Sequence, residues 1–354
     1  MAQTIWLRAE SKEDERRTPI VPDDARLLCD AGFEVVVERS EQRIIPVEAY
    51  EVAGCRIVDA GSWPFAPADC FILGIKELPV DDEPLRHRHI YFGHVYKDQQ
   101  GWRQILGRFA EGRGQLLDLE CLVDNEGRRI AAFGYWAGYA GAAVSIAAWC
   151  GQQTEKRPPL GRLSAYESKD LLISELRGSL EQVEEKPTMI VIGAKGRSGS
   201  GAVDLGESLD IPVTQWDLAE TSSGGPFPEI LQHDLFINCV LAAPGCPKFV
   251  EKHDIPGPNR KLSVIGDVSC DPLSPYNPIP IYHQVTTFNY PLVRVWEKPM
   301  LDIVAIDHLP SLLPLESSID YSRQLLPALL SLDAPTEGVW GRALEQFQKN
   351  IKRL

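Results

Sequence analysis

Short apolar runs alternate along this chain with amphipathic stretches of helical spacing, the pattern of strands and helices taken in turn. Residues 4–8 (TIWLR) read as a strand, followed by a polar loop over 9–18. Residues 22–31 carry helical spacing, with Asp23 near the start and Gly32 just past the end. A second strand covers 33–37 and closes on Glu38. After a short helix that closes at 50–54, apolar runs at 70–74 and 90–93 predict buried strands. A helix is predicted over 100–112, and a strand over 116–122 that leads into a turn at 124–127. Residues 1–130 therefore read as one α/β unit without a glycine-rich phosphate loop.

From 133 to 150 the chain carries no charge (FGYWAGYAGAAVSIAAWC). That length touches the membrane-spanning threshold. Its glycines and alanines suit a helix packed closely inside a protein, and we expect a buried helix linking two domains. A charged helix over 168–185 follows, then strands at 235–241, 264–268 and 301–306, with proline-rich loops between them. The segment 329–354 includes an amphipathic helix.

The most informative stretch is TMIVIGAKGRSGSGAVDLGESLDIPVTQWD, residues 188–217. The apolar run Met189–Ile192 predicts a buried parallel strand. A glycine-dense turn follows (Gly193, Gly196, Gly199, Gly201), then Ala202, Leu205 and Leu209 at helical spacing. A short second strand ends at Asp217. Strand, glycine turn, helix, strand and acid form the layout of a dinucleotide-binding βαβ unit, although the spacing is G-x-x-G-x-x-G. Glycines allow main-chain N–H groups and a helix N-terminus to approach a pyrophosphate. An acid at the second strand end accepts hydrogen bonds from ribose hydroxyls and repels a 2′-phosphate, so Asp217 favours NAD over NADP.

Composition narrows the function classes. The chain has 354 residues, enough for two domains, and is 44% hydrophobic and 24% charged. A net charge of −14 argues against a nucleic-acid partner and gives no support for binding anionic membranes. The eight cysteines form no C-x-x-C pair, which speaks against a zinc ribbon or dithiol redox site, and their apolar neighbours read as reduced, buried thiols of a cytosolic protein. No secretory or transit segment is visible at the start, and the final Lys352-Arg353-Leu354 is only loosely like a peroxisomal signal.

Ligands of α/β proteins gather at the carboxyl ends of strands. Lys76 and Glu77 follow one predicted strand there, and His94, Lys97, Asp98 and Gln99 follow the next. A lysine and a histidine so placed suit general acid–base chemistry, and a lysine near other cations has its pKa lowered. Arg17, Arg128 and Arg129 suit carboxylate binding. His87 and His89 are expected to be exposed. No metal-ligand cluster stands out.

LRAESK with Arg17, GIKELP, GHVYKDQQGW, GRRIAAFGYWAGYAGAA, IGAKGRSGSGAVDL, QWDLAETSSGGPF, FINCVL, GDVSCD, NPIPIY and IDHLPSLLP follow one another from residue 7 to residue 314. In these motifs the sequence resembles the NAD-dependent, lysine-forming saccharopine dehydrogenases of the fungal type. It is more distantly similar to alanine dehydrogenase and the transhydrogenase nucleotide domains. The resemblance implies an α/β chain of two Rossmann-like domains with parallel sheets and an interdomain active-site cleft. The substrate-side domain is expected over 1–132 plus 326–354, and the NAD domain over 133–325.

The same resemblance implies that saccharopine, NAD and water give lysine, 2-oxoglutarate and NADH. By motif, Lys76 resembles the base for the secondary amine and His94 the group that manages water addition and collapse. Arg17, Lys97, Gln99, Arg129 and Phe133 fall where the family binds saccharopine. Arg128, Gly196, Arg197, Asp217, Thr221, Val268, Ile306, Asp307, His308 and Leu309 fall where it binds NAD. Glu77 and Glu120 fall on acids that tune the site's charge. A monomer is implied, with no membrane partner. Two departures are visible: Ser198 stands where a fungal relative has a cysteine able to pair with the one aligned to Cys239, and Leu241 replaces a tyrosine. The alternatives are an opine-type or alanine-dehydrogenase-like oxidoreductase joining another amine and 2-oxo acid, and a catalytically silent NAD-binding protein.

Overall fold

In the computed structural model, which describes residues 3–79, 81–257 and 259–354, the chain divides into two units: Met1–Ala132 with Pro314–Leu354, and Phe133–Leu313. The first is built on the run Ile5, Trp6 and Leu7, buried on both faces of strand β1 (Thr4–Leu7). A central parallel strand needs such a run because helices cover both sides of its sheet. The remaining strands are β2 (Glu34–Glu38), β3 (Arg56–Val58), β4 (Phe71–Leu73), β5 (Arg88–Ile90) and β6 (Gln115–Leu116). They pair in parallel in the order β3-β2-β1-β4-β5-β6. The order reverses between β1 and β4, which brings the loops beyond Leu7 and Leu73 side by side. Helices α1 (Pro22–Asp30), α2 (Val47–Val52) and α3 (Trp102–Gly112) connect these strands.

The second unit opens with α4 (Gly134–Gln153), the uncharged segment, followed by α5 (Lys169–Leu180), β7 (Met189–Ile192), α6 (Arg197–Ser208), β8 (Val213–Trp216) and α7 (Leu218–Thr221). Strands β9 (Leu235–Asn238), β10 (Val264–Asp267), β11 (Val293–Glu297) and β12 (Met300–Val304) complete it. The sheet order is β11-β12-β10-β9-β7-β8, parallel except for the edge strand β11. A helix that is apolar all round has to be buried all round. Accordingly α4 lies in the core with Ala140, Ala142, Ile146 and Ala148 wholly inside, against residues of β7, β9 and β10. Among the described residues no helix is long and apolar enough to cross a membrane. The chain then returns to the first unit through α8 (Pro314–Leu329) and α9 (Gly338–Ile351).

The architecture matches the expectation of two Rossmann-like α/β units with mainly parallel sheets. Several details differ. The return was expected at 326, which falls inside α8; the break precedes Pro314, because Ser318 and Ser322 of that helix bond to Thr18 N–H and Val21 N–H of the first unit. The strand expected over 116–122 stops at Leu116, where Asp118 caps a 3-10 turn over Leu119–Cys121. The strand expected at 90–93 is β5, which begins two residues earlier. Strands β3 and β11 were not anticipated; they are edge strands, whose exposed faces weaken the apolar signal. His87 and His89 are buried, contrary to expectation. His89 packs edge-on against Trp63 (5.1 Å) and Phe109 (5.4 Å) as a neutral aromatic ring, and burial holds its pKa well below the usual histidine value.

Candidate active site

In the first unit the candidate residues collect at the carboxyl ends of neighbouring strands, where open parallel sheets bind ligands. Lys76 and Glu77 follow β4, His94 and Lys97 follow β5, and Glu120 sits in the turn after β6. The His94 ring lies between two carboxylates, with Nε2 3.6 Å from Glu77 and Nδ1 3.7 Å from Glu120. One face stacks on Phe92 at 6.3 Å between centroids and an interplanar angle of 17°. The backbone of His94 is left-handed, with φ 51°. A non-glycine residue there costs on the order of 1 kcal/mol or more, so the surrounding contacts must hold it.

Asp118 supplies that hold. Its Oδ2 accepts the Gly93 N–H at 3.2 Å and its Oδ1 the Glu120 N–H at 2.9 Å, which ties the His94 loop to the Glu120 turn. Burial pushes the Asp118 pKa up to about 7; the Glu120 N–H bond opposes this, the Glu120 charge adds to it, and the Gly93 bond and Arg129 oppose it. Glu120 goes the other way. Burial would raise its pKa, but the hydrogen bond and charge of Lys97, then His94 and Arg129, hold it below the usual range. Lys97 Nζ lies 2.9 Å from Glu120, and Gln99 Oε1 accepts the Lys97 N–H at 2.7 Å. The Arg129 guanidinium stands 5.7 Å above the Phe92 ring.

Lys76 is half-buried, and its pKa is lowered. Burial is the main cause, followed by the Arg17 charge and, more weakly, Lys12, against the opposing carboxylates of Glu15 and Glu77. A lysine so placed has a neutral fraction that can take up a proton. Arg17 was expected as a substrate residue. It is buried in a two-point pair with Glu15, Nε–Oε1 2.7 Å and Nη2–Oε2 2.5 Å, and so also acts electrostatically on Lys76.

Two residues that sequence reasoning missed fix the Lys76 backbone. The Glu10 carboxylate accepts the N–H of Ile75 (2.6 Å) and of Lys76 (3.1 Å), and Arg8 donates to the Lys76 carbonyl while pairing with Glu10 at 3.2 Å. They lie in the LRAESK motif, but nothing local signals a contact more than sixty residues away. In Glu10→Gln an amide NH2 would have to face one of the two peptide N–H groups. We expect kcat to fall by about 10- to 100-fold with little change in KM, since a small misplacement of a catalytic group has that scale of effect. Steady-state kinetics beside a thermal melt checks this; a kcat within twofold of the parent would exclude the clamp.

In the second unit the nucleotide candidates also sit at strand ends. Gly193 follows β7 with φ 85°, and Gly196 caps α6, the helix that begins with Arg197. A Cβ at Gly199 would lie 2.0 Å from the Gly193 carbonyl, so the turn closes only with glycine there. Asp217 follows β8; its carboxylate accepts the N–H of Lys195 (3.0 Å) and of Leu218 (2.9 Å), which links the acid to the glycine loop. Thr221 is buried, with Oγ1 donating to the Asp217 carbonyl at 3.0 Å. Val268 follows β10, and Ile306, Asp307, His308 and Leu309 follow β12, with the His308 ring 4.6 Å from Phe288. An exposed glycine loop over a helix N-terminus, beside an acid, fits the pyrophosphate and ribose of NAD.

The expected groupings do not follow the two units. Arg128, expected with the nucleotide set, belongs to the first unit, on an exposed turn paired with Asp124 (3.1 Å) and Glu126 (2.5 Å). Phe133, expected with the substrate set, opens the second unit as the N-cap of α4. All eight cysteines are free thiols, as the Ser198 departure implies for Cys239; only Cys55, Cys70 and Cys150 are buried as expected, the other five being half-buried.

Residues 6–140 match the family model described as alanine dehydrogenase/PNT, N-terminal domain. The chain is 43% identical to the saccharopine dehydrogenase [NAD(+), L-lysine-forming] of Schizosaccharomyces pombe, with 100% of each chain covered. It is 46% identical to the protein of that name from Emericella nidulans, over 99% of this chain and 98% of the other. Among solved structures it is similar to an L-alanine dehydrogenase, with a TM-score of 0.66 at 15% identity over 98% of this chain and 94% of the other.

Proposed function

This chain belongs to the NAD-dependent, L-lysine-forming saccharopine dehydrogenases, and from that premise we propose that it oxidises saccharopine to L-lysine and 2-oxoglutarate with Lys76 and His94 as its proton carriers. The observation that carries the assignment is their placement: a half-buried lysine with a lowered pKa after β4, and an imidazole between two carboxylates after the adjacent β5. Bound NAD supplies the acceptor for the hydride that leaves the glutamyl Cα. Lys76 takes the proton of the secondary amine, so that the nitrogen lone pair can form the imine. His94 takes a proton from the water that adds to the imine carbon and returns it to the departing lysine nitrogen; Glu77 and Glu120 hold the ring and offset its charge. Saccharopine carries three carboxylates, and the cations of Arg17, Lys97 and Arg129 suit them, with Gln99 and Phe133 completing the substrate contacts. Glu15 and Glu120 pair with two of these cations.

In this reading Gly196, Arg197, Asp217, Thr221, Val268 and Ile306 to Leu309 hold NAD, with Arg128 assisting. Asp217→Ala is expected to reduce the preference for NADH over NADPH at least about tenfold, because the carboxylate both binds the ribose hydroxyls and repels a 2′-phosphate. The ratio of kcat/KM for the two cofactors measures this, and an unchanged ratio would remove Asp217 from the ribose. The free thiols agree with a cytosolic setting and the family with a monomer, testable by fractionation and by sedimentation.

The function itself is tested by NADH oxidation with 2-oxoglutarate and a panel of amines, with NADPH as control. Lysine is expected to be by far the best amine. A different preferred amine would overturn the substrate assignment and leave the proton-carrier roles standing. Turnover with none would overturn both.

A further inference from the structure

The first unit also holds a cavity of about 340 Å³ at the amino-terminal ends of β5 and β6, the sheet edge opposite to Lys76 and His94. Its wall carries Arg86, Arg88 and Arg113 and no carboxylate. Among the described residues none of the three forms an ion pair with an acid, in a chain with 50 acidic and 36 basic residues. Such a chain has carboxylates to spare for its arginines, so three guanidinium groups without an ion pair around one hollow stand out.

Arg88 is anchored by the fold, while Arg86 and Arg113 stand exposed at the rim. Arg88 donates to the Asp69 carbonyl at 2.9 Å and lies 4.2 Å above the Phe71 ring. Burial draws its pKa below the ordinary arginine value, with the Asp69 carboxylate opposing. Arg113 caps the end of α3 with φ 58°, a left-handed position where helices usually place glycine. His87, only 4% exposed, spends Nε2 on the Ala66 carbonyl at 3.0 Å, and among the described residues its buried Nδ1 has no partner. Gln115 and Thr336 add uncharged polar groups to the wall.

We propose that this cavity is a second ligand site, which binds a small polyanion carrying at least two carboxylate or phosphate groups. Arginine forks match either group in two-point hydrogen bonds. The volume lies at the lower end for small-molecule sites, which sets the ligand at a few carbons or one diphosphate. The site is separate from the proposed catalytic residues and does not depend on the identity of the amine.

The full-length protein, saturated with NADH to fill the nucleotide side, is titrated calorimetrically with citrate and separately with inorganic pyrophosphate. Parent, R129Q, and R86Q combined with R113Q are compared. The expected result is saturable binding of at least one probe that persists in R129Q and weakens at least tenfold in the double variant, with the condensation rate of that variant unchanged. The probe that binds tells carboxylate from phosphate. Should the double variant fail to fold, R86E alone, at an exposed position, is expected to show the same loss. Binding that survives R86Q/R113Q or R86E, binding lost only in R129Q, or binding of neither probe would overturn the proposal.

Discussion

Replacing Lys76 with methionine is expected to lower kcat/KM for saccharopine oxidation by about 10²- to 10⁴-fold, the usual worth of a general base. NADH affinity should be unchanged, and stability nearly so, because methionine keeps most of the lysine's apolar bulk. The acid limb of the parent pH profile carries the same information. Lys76 serves as a base only when neutral, so the oxidation rate rises as pH climbs through its lowered pKa. Lys12 contributes to that lowering; K12Q removes an exposed positive charge and should move the limb to higher pH. Glu77 opposes the lowering, and E77Q should move the limb to lower pH. Shifts of opposite sign from two neutral glutamines would be hard to obtain unless a cation titrates beside both. A K76M variant that keeps more than a tenth of the parent rate, or a limb unmoved by both charge changes, would remove Lys76 from the chemistry.

The second large effect falls on stability. A Cβ added at Gly138 of α4 would lie 1.7 Å from the Ser198 carbonyl of α6, and one at Gly201 of α6 would lie 2.0 Å from the Tyr135 carbonyl of α4. The two helices therefore touch main chain to main chain. G138A must push α6 away or break its first turn, and it is expected to cost about 3 kcal/mol or more, at the upper end for overpacking. The displaced turn carries the glycine loop, so NADH should bind more weakly as well. Gly178 of α5 has nothing within 4 Å of its Cβ position, and G178A is expected to stabilise the same unit by about 0.5–1 kcal/mol through helix propensity. Denaturant unfolding of both variants reads the contrast. A stability loss below about 1 kcal/mol for G138A would mean that the helices separate easily.

Much of the fold was legible because its signals are local. Met189–Ile192 must be a buried strand since it offers water no polar face, and the glycine turn followed by Leu205 and Leu209 must turn into a helix. Charge-free α4 reads as a buried helix for the same reason, and Asp217 announces itself by closing the second strand of the βαβ unit. The edge strands β3 and β11 escaped notice because only part of each is buried. His87 and His89 were misplaced because an imidazole reads as polar in a sequence but packs as an aromatic ring once Trp63 and Phe109 close over it.

By itself, the sequence determined the two α/β units, the glycine loop with its acid, and the positions of Lys76 and His94 after strands, since each depends on residues close along the chain; it placed Glu120 within a strand, where the structure has a turn. The tertiary structure alone decided how these groups behave. Strand order puts β1 beside β4, so Glu10 and Arg8 grip the Lys76 backbone and the Arg17 charge lowers its pKa. Pairing of β4 with β5, and of β5 with β6, sets His94 between Glu77 and Glu120 and lets Asp118 hold both loops. Such effects act through space over a few ångströms, whereas a sequence orders its residues only by distance along the chain.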